Sequence, residues 1–247
     1  MTWPLFVKNC KWITWNISDM VPQVMSIIYK GTGSLKNSVV KVFKSSVLSD
    51  AIAQEINLLK WLKECNAPHT IRIKENGNQW VTLVPICNIC CLSSPSSFQK
   101  CHWIQGIEAL KWLHDKGYVH WDIRPENIMQ AGGNLVLSDF GSCVQIGSTI
   151  FEGTTRFASD SIITQLQASL IVDFQPSDDL HPLLRVAQWC DMNPSYWSNL
   201  HACDTNTNTE LNKIQRFWQI QTSNLVKFTD AIPVHDDLAN VFNSNWY

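Results

Sequence analysis

Charge is scarce in this chain. Only 16% of its 247 residues are Asp, Glu, Lys or Arg, and the formal net charge is −2. Lys and Arg gather nowhere, which excludes the electrostatic footprint of a nucleic-acid binder. Long apolar runs are missing as well. None approaches the ~18 consecutive apolar residues of a membrane span, so no membrane partner is expected. The opening M-T-W-P-L-F-V-K-N-C-K has no apolar signal-peptide core. No segment repeats.

Apolar residues, at 45%, are enough for a proper core, and twelve tryptophans favour burial, with some rings left for a partner surface. Nine cysteines in a chain without a secretory signal read as reduced thiols in an intracellular protein, cytoplasmic or nuclear. C-N-I-C-C at 87–91, with Cys101 and His102 beyond it, suggests zinc at first sight. Zinc sites space their ligands as two separated pairs, and Cys101 and His102 are adjacent, so half-buried thiols around a turn are the better expectation.

Along the chain, V-M-S-I-I-Y-K (24–30) and S-V-V-K-V-F-K (38–44) predict a hairpin turning through Gly31 and Gly33. Residues 50–64 predict a helix capped by Asp50, with Ile52, Ile56, Leu59 and Leu62 on one face. Residues 69–85 predict a second hairpin, turning at Asn76-Gly77-Asn78. A connector runs from Pro85 to Pro95. A long helix is expected over 98–117, with Ile104, Ile107, Leu110 and Leu113 inside and Gly117 as its stop. Short strands flank Gly132-Gly133, helices dominate beyond Ser177, and D-T-N-T-N-T-E (204–210) reads as a loop.

H-W-D-I-R-P-E-N (120–127) resembles the catalytic loop of protein kinases, usually H-R-D-L-K-P-E-N. L-S-D-F-G (137–141) resembles the family's magnesium-binding motif, and V-V-K-V-F-K its strand lysine. The resemblance covers roughly residues 20–195. It implies an α+β, bilobal kinase-like fold: a small strand-rich N-lobe with one helix, about 1–86, and a mainly helical C-lobe, about 87–247. It implies ATP and Mg2+ as cofactors and a protein as substrate. Lys41 would pair the nucleotide phosphates and Glu55 would hold Lys41. Asp122 would be the catalytic base, Arg124 the cation at the γ-phosphate, and Asn127 and Asp139 the magnesium ligands. G-T-T-R-F-A-S (153–159) resembles the end of the activation segment, which brings Thr154 or Thr155 near Asp122; the pattern favours Thr155. S-D-D-L-H-P-L-L (177–184) supplies Asp179 as anchor of the catalytic-loop backbone, and helix capping explains the same Asp pair.

Three departures shape the functional reading. The run from Gly31 to Lys41 is too short for the family's glycine loop at ~3.3 Å per residue. The phosphate cover would then fall on S-D-M-V-P-Q-V (18–24), which has no glycine and carries Pro22. Trp121 replaces an Arg that pairs with phosphorylated activation segments, and an indole cannot do so. A-S-D (158–160) puts Asp160 where the family pairs a Glu with a late Arg, and Arg216 is a candidate partner. The expected function is a Ser/Thr protein kinase not governed by activation-segment phosphorylation. A pseudokinase scaffold is the alternative, and a small-molecule kinase of related fold a third reading.

Overall fold

Both predicted hairpins form. In the computed structural model, which describes residues 10–12, 26–31, 37–43, 49–89, 98–151, 154–191, 207–223 and 235–245, β2 (Ser26–Gly31) pairs antiparallel with β3 (Val39–Phe43). With β1 (Cys10–Trp12), β4 (Arg72–Gly77) and β5 (Trp80–Val84) they make a sheet of order β1-β2-β3-β5-β4. Gly31 belongs to β2 rather than to a turn. The second hairpin turns at Asn78 and Gln79, later than predicted, with Gly77 opposite Trp80. Gly77 is there for space: a Cβ would lie 2.3 Å from Trp80 Nε1. The 18–24 stretch, Gly33, Cys90 and Cys91 lie outside the described residues.

Helix α1 (Ser49–Glu64) follows the sheet. Asp50 sits in its first turn, not before it, where its charge complements the helix N-terminus. Ile52, Ile56, Leu59 and Leu62 are all buried, at roughly 1.5–3 kcal/mol each. The α1 helix packs on β4 and on the 3-10 turn Phe140–Ser142 of the second lobe.

The lobes meet at a backbone join: Ile71 N donates to the Leu137 carbonyl and Leu137 N to the His69 carbonyl, both at 2.8 Å. The connector contributes β6 (Asn88–Ile89), which pairs with β8 (Ile128–Ala131); β9 (Asn134–Leu137) completes that sheet. Helix α2 (Lys100–Asp115) buries Ile107, Leu110, Leu113 and Trp103, with Ile104 partly covered. Its start is secured by His102, whose Nδ1 accepts from Gln99 N at 2.8 Å. Cys87 is buried, and burial pushes its thiol up to about 11; Cys101 is exposed. Both are free thiols.

Several elements were not predicted. β7 (Tyr118–Val119) pairs with β10 (Val144–Gln145), and β11 (Gly147–Ile150) with β12 (Ile171–Phe174). Helix α3 (Asp160–Ala168) lies between those last two strands in the chain. The helices α4 (Ser177–Asp191), α5 (Asn208–Ser223) and α6 (His235–Asn245) fill the region expected to be helical, and α5 begins inside the predicted 204–210 loop. Phe242 of α6 stacks on Trp103, and Trp218 of α5 is fully buried. The result is a bilobal fold, with a strand-rich lobe carrying one helix and a mainly helical lobe. No helix among the described residues is long and apolar enough to cross a membrane.

Candidate active site

The site begins with a buried cation. Lys41, on β3, donates from Nζ to Glu55 Oε1 of α1 at 2.7 Å and to Asp139 Oδ1 at 2.8 Å. Burial alone would lower the Lys41 ammonium, but Asp139 and Glu55 outweigh it and hold it above its ordinary value. One cation is thus shared by two carboxylates. Burial pushes the Glu55 carboxyl up despite Lys41, whereas the Lys41 charge pulls Asp139 down. Asp139 has a left-handed backbone, φ 58°, and its side chain is 42% exposed. Gly141 lets this turn approach α1, since a Cβ there would come 3.2 Å from Glu55 Oε2.

Across from this triad lies the 120–127 loop. Asp122 is gripped from three directions. Asn127 Nδ2 donates to its carbonyl at 2.8 Å and to Oδ2 at 2.9 Å. The Arg124 guanidinium lies 3.1 Å from Oδ2, and Thr154 N donates to Oδ1 at 3.3 Å. Arg124 also donates to Thr154 Oγ1 at 3.3 Å. Thr154 is thus an activation-segment threonine beside Asp122, and Thr155 is buried in the 3-10 turn that follows it. Burial would lower the Arg124 guanidinium, and Asp122, Glu126 and Asp139 raise it instead.

The loop hangs on Asp179. Its Oδ2 accepts from His120 N at 2.6 Å and from His114 Nε2 at 2.9 Å, and its Oδ1 from Trp121 N at 2.8 Å. Burial favours the neutral acid, but the His114 hydrogen bond and the charges of His114 and His120 leave Asp179 lowered. The predicted anchor is thus Asp179. Its neighbour Asp178 serves elsewhere: it accepts from Ser159 Oγ and from Gln175 N. Trp121 has φ 71° and packs its ring 3.8 Å from that of Phe174 and 5.7 Å from that of Phe151.

The late arginine is a correction. Asp160 pairs with Arg185 on α4, at 2.6 Å, and not with Arg216. Arg185 also donates to the Ala158 carbonyl. An Arg within the apolar run L-L-R-V-A-Q-W-C was the available signal, because a charge there must be buried and paired. His181, on the same helix, is held down to about 4 by burial, with Arg185 adding to the effect and Asp160 opposing it. The folded chain therefore keeps His181 neutral where the unfolded chain takes up a proton. The stability so conferred is complete above pH 6.5 and is lost as pH falls from 6.5 toward 4. Between pH 7 and 4.5 the parent should lose about 2 kcal/mol more than His181→Asn in urea titrations. Equal losses would remove His181 from the account.

The donor chemistry here fits magnesium with a nucleotide. The Asp139 carboxyl is held ionised by Lys41 and would suit a hard cation, and Asn127 turns its amide nitrogen to Asp122, which leaves its oxygen for the same ion. Among the described residues no group of three or more His, Cys, Asp and Glu could hold a metal ion. A cation at Asp139 and Asn127 would complete its shell with water and phosphate oxygens.

Comparison with known proteins agrees with this geometry. The family described as Protein kinase domain matches residues 23–174. Serine/threonine-protein kinase mph1 of Schizosaccharomyces pombe is 39% identical over 67 residues, 27% of this chain and 9% of that protein. Serine/threonine-protein kinase STE20 of Candida glabrata is 29% identical over 116 residues, 43% of this chain and 12% of that protein. Rho-associated protein kinase let-502 of Caenorhabditis briggsae is 44% identical over 43 residues, 17% of this chain and 4% of that protein. The chain thus spans a small part of the length of each relative. Since the family match covers most of the chain and contains Lys41, Glu55, Asp122, Asn127 and Asp139, this protein belongs to the protein kinase domain family.

Proposed function

We propose that the chain is an active protein kinase that transfers the γ-phosphate of ATP, with magnesium, to Ser or Thr hydroxyls of a protein. The observation that carries this reading is the Lys41 bridge to both Glu55 and Asp139, with Asp122 clamped by Asn127, Arg124 and Thr154. Magnesium-ATP supplies the phosphoryl group and the charge that neutralises its oxygens. The chain's residues do the positioning. Lys41 holds the α- and β-phosphate oxygens, and Asp139 and Asn127 hold the metal. Asp122 accepts the hydrogen bond of the incoming hydroxyl and aims its oxygen. Arg124, already beside Asp122, adds positive charge where the phosphoryl oxygens pass.

A second reading, a protein-binding pseudokinase, is favoured by the glycine-free 18–24 stretch. Radiolabelled ATP with generic protein substrates separates the two, alongside thermal shift with magnesium-ATP. Label in protein, lost in Asp122→Ala, supports the kinase. Neither label nor shift supports the scaffold.

Regulation follows from Trp121. Its ring is packed against Phe174 of β12 and Phe151 just after β11, so apolar contact holds the activation segment where a phosphate–arginine pair would act. Phosphatase treatment should leave the rate within about twofold of the untreated chain, since no charge pair at this position is lost. A tenfold fall, restored by rephosphorylation, would show that another cation does the pairing.

A further inference from the structure

Helix α6 is tied to α2 at both ends. Toward its C-terminus, Phe242 stacks on Trp103, and Lys100 Nζ donates to the Asn243 carbonyl at 2.8 Å. At its start, His235 Nε2 faces His114 Nδ1, also at 2.8 Å. His114 is buried and His235 half-buried. The other nitrogen of His114 is committed. Its Nε2–H donates to Asp179 Oδ2 at 2.9 Å, which leaves Nδ1 to meet His235.

Two imidazoles at this distance hold one hydrogen between their nitrogens. With both rings neutral, His235 Nε2–H donates to His114 Nδ1. With one ring charged the bond survives, because the charged ring donates to the other. With both charged, each facing nitrogen carries a hydrogen, the bond is gone, and two cations stand in contact. The surroundings bear on that last step. Burial, then the charges of His114 and Lys111, hold the His235 imidazole below its ordinary value, against Asp115 and Asp236. Asp236 and Asp237, in the first turn of α6, offset the helix N-terminus, which by itself disfavours a cation. Behind His114 stand Asp179 of α4 and His120 of the catalytic loop. Cys143 faces Asp179, and burial holds its thiol well above its usual value, so it stays neutral.

We infer that the His114–His235 pair is a proton-operated latch, which holds α6 on α2 while at most one ring is charged and releases it when both are. The sign follows from His235. Docked, it resists a proton that it takes up freely once α6 is released. Docking is therefore complete above about pH 6.5 and weakens below it. Each pH unit below that value costs about tenfold in the docking equilibrium, until the docked pair takes the second proton as well. Release uncovers Trp103, Leu238 and Phe242, which α6 and α2 now bury between them. The catalytic loop keeps its anchor, since His120 N and Trp121 N reach Asp179 without His235. The latch works whether or not the chain transfers phosphate.

Hydrogen exchange of the full chain, read by mass spectrometry at about pH 7.5 and 5.5 and corrected for the intrinsic pH dependence of exchange, tests the latch. In the parent, protection of α6 should fall about tenfold between the two, while protection of α1 holds. His235→Gln is half-buried at a helix start, so folding is not at risk, and its amide can donate to His114 Nδ1 or accept from it without titrating. In that variant the change in α6 protection should shrink to within about twofold. The acid loss from His181 is common to both proteins and cancels in the comparison. Unchanged α6 protection in the parent overturns the inference. A fall in His235→Gln as large as the parent's assigns the response to another group and overturns it too. A parallel fall in α1 shows that the whole chain unfolds in acid, not that one helix is released, and counts equally against the latch.

Discussion

Asp139→Asn should cut phosphoryl transfer by on the order of a thousandfold or more while leaving the chain folded. The substitution is nearly isosteric. Asn keeps an oxygen for Lys41 Nζ, which lies 2.8 Å from Asp139 Oδ1 in the parent. Asn is also at home at φ 58°, a left-handed conformation in which it and Asp are enriched. Lys41 retains its second carboxylate, Glu55, at 2.7 Å. The backbone and the ammonium therefore keep their partners, and only the negative charge is lost. That charge is what a hard divalent cation requires, since Asn127 offers a neutral oxygen. Initial rates with radiolabelled ATP, beside thermal melting of both proteins, make the measurement. A variant with full activity would show that Asp139 does not hold the metal. A variant that melts far below the parent would show that the carboxylate serves the fold first.

Asp179→Ala is the second large effect, and it falls on stability. The carboxylate accepts from two backbone N–H groups and from His114, and all three donors are buried around it. Removing the acceptor strands them where water does not enter. Each unsatisfied buried donor costs about 1–3 kcal/mol, so a loss of about 3–5 kcal/mol is expected. The damage reaches the chemistry through Trp121. Its left-handed backbone costs a bulky residue about 1 kcal/mol or more, and the bond to Asp179 Oδ1 is what holds it there. Released, the loop relaxes and takes Asp122 with it. Urea unfolding gives the stability, and kcat measured well below the melting temperature gives the catalytic part. A loss of only a few tenths of a kcal/mol would mean that water or another acceptor replaces Asp179. Asp179→Asn is the informative control. It keeps one oxygen but turns an NH2 toward a donor, so it should fall between parent and Ala.

The parts of the fold legible in the sequence are those with local causes. The α1 helix carries its apolar stripe at helical spacing, and all four predicted residues are buried. The β2–β3 hairpin has its β-branched runs, and the Gly132-Gly133 turn its left-handed residues. The candidate site residues came from the resemblance of motifs rather than from local periodicity. Lys41, Glu55, Asp122, Asn127 and Asp139 stand in the chain order of the protein kinase motifs, and the fold joins Lys41 to Glu55 and Asp139, and Asn127 to Asp122. The second hairpin turns at Asn78 and Gln79, one step beyond the position its glycine suggests, because the smallness of Gly77 makes room for the Trp80 ring. The short strands β7, β10, β11 and β12 went unpredicted, since each is too brief for a period and exists only through its partner.

The sequence by itself determined the β2–β3 hairpin and the helices α1 and α2, because helix periodicity and β-branching are properties of neighbours along the chain, and its motifs carried the resemblance to protein kinases that implied two lobes and the candidate groups between them. Only the tertiary structure decided which charge meets which. Arg185, not Arg216, neutralises Asp160, because α4 runs beneath the end of the activation segment and a buried guanidinium takes the carboxylate that packing brings to it. Thr154 meets Asp122 through its backbone N–H, because the chain folds back over the catalytic loop just before the 3-10 turn at Thr155–Phe157. Trp121 lies against Phe151 and Phe174, far along the chain, because the pairing of β11 with β12 sets those rings over the catalytic loop. Contacts between distant residues depend on how whole elements stack, and no local pattern in the sequence carries that information.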